Sequence, residues 1–174
     1  TAHTPAGILF DIDTALRPDG ASGMLVSSLS AFERYQHNAA WVWEHQALTR
    51  ARFCAGDETI GARFEAIREA VLRRDHSAQA DELRAEVLKM RQRMHEAYPS
   101  RSTLFDLKQD TGGMIDIEFI VQYLVLRYAA QHPQLTANAG NIALLHRSGE
   151  LGLIDPSLAA GAADAYRAMR KLQI

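Results

Sequence analysis

Apolar and polar positions divide the chain into a short alternating opening and a long body of helical period. Over Gly7 to Asp13, Ile8, Phe10 and Ile12 alternate with other residues. A strand would put those three on one face and Asp11 and Asp13 together on the other. After a turn-rich stretch at 18–23 the period changes, with Leu29, Phe32 and Tyr35 on one helical stripe and a second helix predicted over about 39–54. Gly56-Asp57 reads as a helix end followed by a new N-cap. The helix it opens, over 58–73, turns Ile60, Phe64, Ile67 and Val71 inward, and the next, over 80–98, does the same with Leu83, Val87, Met90 and Met94. The remaining surface of that fourth helix is charged and expected to be solvated. A strand-like run at 103–108 follows. Gly112-Gly113 then precedes a helix over 114–130, in which Ile117, Ile120, Val121, Leu124, Val125 and Tyr128 predict a core face. Two further helices, over 138–148 and 157–172, complete a mostly helical body behind one short strand element.

Composition narrows the classes. The 174 residues are 47% apolar and 23% charged, a globular balance, and the net charge of −2 lacks the basic surplus expected of a protein for nucleic acid or anionic membranes. No apolar run approaches the ~20 residues of a membrane span, and no signal peptide is visible. Cys54 is the single cysteine, so no intrachain disulfide forms and a cytoplasmic location is expected. The start at Thr1 and the helical pattern running to Ile174 predict a piece of a longer polypeptide.

Three segments are candidates for chemistry. Two carboxylates on one strand face repel unless a cation, an arginine or a shared proton relieves them. Asp11 and Asp13 therefore read as a metal or acid/base site, or as ordinary decoration of an edge strand. In Lys108-Gln109-Asp110-Thr111-Gly112-Gly113 the paired glycines would let backbone N–H groups face an anion that Lys108 neutralises, or would simply start the helix. Asp116 and Glu118, two apart on that helix, point about 200° from each other and cannot share an ion, and Asp116 suits the helix dipole. Finally, His45, Thr49 and Arg52 would align on one helical stripe beside Trp41 and Trp43, with His45 read as a satisfied histidine beside core tryptophans. The histidines and Cys54 show no zinc-ligand spacing.

Read in order, these segments carry a family resemblance. The first is Asp13-Thr14-Ala15-Leu16-Arg17-Pro18 with Gly20 and Gly23-Met24-Leu25-Val26. The second is Ala40-Trp41-Val42-Trp43-Glu44-His45-Gln46-Ala47-Leu48 with Arg50-Ala51-Arg52, and the third joins Gly112-Gly113 to Asp116-Ile117-Glu118-Phe119-Ile120 and the run Gln122 to Ala129. Together they resemble the bifunctional glutamine synthetase adenylyltransferase/adenylyl-removing enzymes, and their C-terminal, adenylylating half more than the other. The resemblance implies the C-terminal β piece of a polymerase-β-like nucleotidyltransferase domain at 1–56 and a helical bundle domain at 57–174. It further implies Mg²⁺ and ATP as cofactors, a tyrosine of glutamine synthetase as acceptor, and the PII signalling protein and glutamine as regulators; the charge balance separately predicts no nucleic-acid or membrane partner.

By the same resemblance Asp13 matches the third metal carboxylate of the family, with Asp11 beside it. Arg17 would orient phosphates through its planar fork or pair with Asp13. The family's Gly-Ser segment and earlier Asp-x-Asp pair are absent from these residues, which predicts that the chain alone is inactive. Ile115 stands where many relatives carry arginine, which weakens a phosphate role for the glycine segment. Two other readings remain open: a regulatory helical module that senses glutamine or PII, and part of a PII uridylyltransferase.

Overall fold

The computed structural model describes residues 2–5, 7–10, 14, 17–18, 20–98 and 103–173. It divides into two compact units, 1–40 and 41–174. In the first, strands β1 (Ala2–Thr4) and β2 (Gly7–Phe10) pair antiparallel, with an irregular register between Ala2 and His3. This ribbon is the whole of the β-structure among the described residues, and no larger nucleotidyltransferase sheet is seen there. A single 3₁₀ turn at Gly20–Ser22 and helix α1 (Leu29–Asn38) follow, and Ser28 caps α1 by accepting from Ala31 N at 3.2 Å.

The second unit is helical throughout: α2 (Val42–Leu48), α3 (Glu58–Leu72), α4 (Ala80–Ala97), α5 (Met114–Tyr128), α6 (Asn141–Glu150) and α7 (Pro156–Leu172). Helix α2 belongs to this unit, packing against α3, α4 and α5. Asp57 caps α3 as predicted, accepting from Thr59 N at 2.8 Å and Ile60 N at 3.1 Å. Asp155 does the same for α7, with Pro156 in the first turn where its missing N–H costs nothing.

Helix α5 lies at the centre of the unit. Ile117, Val121, Leu124, Val125 and Leu126 are all buried, and α5 packs against α2, α4, α6 and α7, whose Leu48, Leu83, Val87, Leu144, Leu145, Ala159 and Ala163 are buried as well. Alanines at 159 and 163 let α7 approach closely, and an added Cβ at Gly149 of α6 would lie 3.0 Å from the Ala159 Cβ.

Three expectations are corrected. The second helix ends at Leu48 rather than near residue 54, because the Leu48 and Thr49 carbonyls turn to a side chain of α3. Residues 103–108 are not a strand. Asp106 there accepts from Lys108 N at 2.8 Å and Gln109 N at 3.0 Å, an Asx turn that excludes a ladder. Those donors also hold its carboxyl below the usual range. Ile120 and Ile60, assigned to the core by period, stay about half exposed.

Candidate functional site

In the opening unit, Asp11 and Asp13 lie outside the described residues. Arg17 is described, and its guanidinium is turned back on its own loop. Nη1 donates to the Thr14 carbonyl and Nε to the Gly23 carbonyl at 3.3 Å. Backbone bonds from Gly20 N to Arg17 O (2.9 Å) and from Gly23 N to Gly20 O (3.1 Å) tighten the turn, which needs glycine at position 20 with φ +54°. Among the described residues no three His, Cys, Asp or Glu side chains are placed to hold a metal.

The Gly112-Gly113 segment shows how its backbone donors are spent. Gly112 N donates to Asp116 Oδ2 (2.7 Å), Gly113 N to Asp110 O (2.8 Å), Met114 N to Leu107 O (2.8 Å) and Ile115 N to Lys108 O (3.2 Å). The N–H groups that would cradle an anion are thus engaged by the loop's own oxygens. Lys108 is exposed beside them and makes no ion pair among the described residues. Both glycines are dictated by this closure. Gly112 sits at φ +88°, and a Cβ on Gly113 would come within 2.8 Å of Asp110 O and 2.9 Å of Leu107 O.

The acids of the Asp-Ile-Glu run face different helices. Asp116 pairs with Arg91 of α4, whose Nη2 also donates to Gln109 O at 2.8 Å. Glu118 lies 3.1 Å from Arg50 and accepts from the Tyr166 hydroxyl at 2.7 Å, while Asn141 Nδ2 donates to that hydroxyl at 2.9 Å. Burial, then the hydrogen bond to Glu118, raises the Tyr166 pKa above the ordinary 10.0. One motif therefore ties α5 to α4, to the segment after α2, and to α6 and α7.

The Trp-Glu-His-Gln segment is equally committed. Glu44 accepts from Trp41 N at 2.8 Å at the start of α2, and Gln46 Nε2 donates to Gln122 of α5 at 2.8 Å. His45 and Thr49 are buried, and Arg52 lies beyond the helix end, so the predicted polar stripe does not form. The tryptophans are not core: Trp41 is 67% and Trp43 36% exposed.

The residue that sequence reasoning passed over is Arg68. Only 2% exposed, it donates to the Leu48 carbonyl (2.8 Å), the Thr49 carbonyl (2.9 Å) and the Thr136 carbonyl (3.0 Å), with Glu65 at 3.6 Å. Desolvation lowers its pKa, opposed by Glu65 and Glu69. A signal was present: Arg68 follows Phe64 by four residues and precedes Leu72 by four, so a cation sits on the buried stripe. Arg91 and Tyr166 left no comparable trace, because their partners are distant in sequence, and Arg50, though quoted in the second motif, gave no sign of its pairing with Glu118.

Comparison with known proteins adds three findings. Residues 1–67 match the family model for glutamate-ammonia ligase adenylyltransferase, and residues 81–174, more than half of the chain, match that for GlnD PII-uridylyltransferase. The chain is 57% identical over 173 residues to the bifunctional glutamine synthetase adenylyltransferase/adenylyl-removing enzyme of Aromatoleum aromaticum, 54% to that of Nitrosomonas eutropha, and 60% over 177 residues to that of Ralstonia nicotianae. Each match covers 99% of this chain and 18% of the relative, so the chain spans about a fifth of the length of these enzymes.

Proposed function

The chain belongs, through residues 81–174, to the family that the GlnD PII-uridylyltransferase model describes, and we propose that it is a piece of a glutamine synthetase adenylyltransferase, from the adenylylating half. The observation that carries this reading is the similarity over 99% of the chain to enzymes of that name, joined to the adenylyltransferase match at its opening. In the proposed reaction a tyrosine hydroxyl oxygen of glutamine synthetase attacks the α-phosphorus of ATP. The bond to pyrophosphate breaks, and the hydroxyl proton passes to a base.

Asp13 is the proposed metal ligand or base, Asp11 a second ligand, and Arg17 an orienting group for phosphate. The donor set fits Mg²⁺, a hard cation that takes one or two carboxylates and fills its remaining positions with water and phosphate oxygens. When bound, that ion would neutralise phosphate charge as a Lewis acid. Arg17 would have to release the Thr14 and Gly23 carbonyls to reach a phosphate. Lys108 is a weaker candidate, since the N–H groups around it are already engaged. The remaining carboxylates and the Gly-Ser segment would come from elsewhere in the enzyme, so a polypeptide of residues 1–174 alone is expected to transfer no adenylate. The proposed location is the cytoplasm; among the described residues no helix is long and apolar enough to cross a membrane.

The test is Asp13→Ala in the full-length enzyme. Transfer of labelled adenylate to glutamine synthetase should fall by at least about 100-fold, and near-normal transfer would remove Asp13 from the site. The match of residues 81–174 to the uridylyltransferase model favours a second reading, part of a PII uridylyltransferase, and the helical unit would in either case be a regulatory module for glutamine or PII. Nuclear magnetic resonance of the chain tests site and module separately. Mg-ATP should shift resonances near Asp13, and glutamine or PII should shift those of α3 to α7.

A further inference from the structure

Helices α4 and α5 run antiparallel. Arg91, late in α4, meets Asp116 at the start of α5, while Arg127 and Gln131, at and beyond the end of α5, reach Ser77 just before α4. On the outer side of this pair the two helices leave a groove with a cavity volume of about 740 Å³. Its floor is apolar: Leu88 from α4, and Phe119, Ile120 and Tyr123 from α5. Leu88 is 57% exposed and Ile120 49% exposed, on helices whose opposite faces are buried. Isolated exposed leucines are ordinary; a continuous apolar groove marks a place for a partner.

The charges around the groove say which partner. Arg84 stands at one end and makes no ion pair among the described residues. At the other end, His95 Nδ1 and Arg91 Nη1 are buried without a hydrogen-bond partner. Asp116, the one carboxylate lining the groove among the described residues, is already taken by Arg91. From Arg84 to His95 is eleven residues of helix, about 16 Å, with apolar side chains between. A small anion cannot meet both ends. A helix can, with acids three turns apart and apolar side chains at i, i+4 and i+7 between them. A second copy of this chain seated face to face would bring Arg84 against basic groups, a like-charge contact that opposes such a dimer.

We propose that the α4–α5 groove is the docking site for an acidic amphipathic helix from polypeptide outside residues 1–174. This proposal is independent of the adenylyl-transfer reading and survives its failure. The probe is a dye-labelled, stapled peptide helix with leucines at i, i+4 and i+7 between glutamates about eleven residues apart, compared with the same peptide carrying lysines for the glutamates. Fluorescence anisotropy with the 174-residue chain should show the glutamate peptide bound at least about 10-fold more tightly than the lysine peptide. Arg84→Glu should narrow or reverse that preference, and Leu88→Asp should abolish binding. Both side chains are exposed, so thermal unfolding of the variants should match the parent chain. If either variant unfolds early, Ile120→Asp supplies the same test from α5. Equal binding of the two peptides overturns the proposal. So do binding that survives Leu88→Asp in the folded variant, and sedimentation showing a dimer that Leu88→Asp dissociates.

Discussion

The two units solve different problems with the same kinds of residue. In 41–174 many polar side chains are committed to packing. Arg68 is sealed among carbonyls, Asp116 and Glu118 are tied to arginines of other segments, and Gln46 is bonded to Gln122. In 1–40 the only buried side chain among the described residues is Gln36, and Met24, Leu25 and Val26 are 82%, 66% and 78% exposed. Asp116, Glu118 and Gln46 of the helical unit's motifs are thus accounted for by architecture. The acidic motif of the opening unit has no such account, and its meaning rests on what it could bind.

The difference can be broken hardest at Arg68. Arg68→Ala strips the donor from three buried carbonyls and leaves a void, so urea unfolding of the chain should show a loss of about 3–5 kcal/mol. A loss under about 1 kcal/mol would mean that the carbonyls find water and that the staple is dispensable. Next comes Gly113→Ala, whose Cβ would press on two backbone oxygens. It should cost about 1–3 kcal/mol by the same measurement, through local overpacking rather than lost ligand binding.

Tyr166→Phe should cost about 1–2 kcal/mol at neutral pH, for the hydrogen bonds to Glu118 and Asn141. It also carries a pH signature. The folded pKa lies above the unfolded value of 10.0, so the folded state holds its proton longer and the stabilisation is complete below pH 10. As pH rises through the folded pKa it is lost. The stability gap between the parent and Tyr166→Phe should therefore shrink above pH 10, and ultraviolet titration should find one tyrosine ionising late. The smallest effect is expected in the opening unit, where Asp13→Ala should change stability by no more than about 0.5 kcal/mol while removing transfer from the full enzyme. A large destabilisation there would make Asp13 another architectural acid and erase the contrast between units.

How much of this was legible depends on the range of the interaction. Helix periods and local caps are written within a few residues, so Asp57 and the buried face of α5 could be read directly. The end of α2 could not, because it is set by Arg68 twenty residues on. Nor could the fate of Ile120: a period shows that a side chain shares a stripe, not that the stripe is wider than its partner helices cover.

Arg68 also sets how the molecule comes apart. Its three acceptors belong to the end of α2 and to the turn at 133–136, while its backbone belongs to α3. None of these pieces can open alone without baring a charge. In native-state hydrogen exchange the amides of α3 and the turn at 133–136 should lose protection together, at a single opening free energy, as one cooperative block.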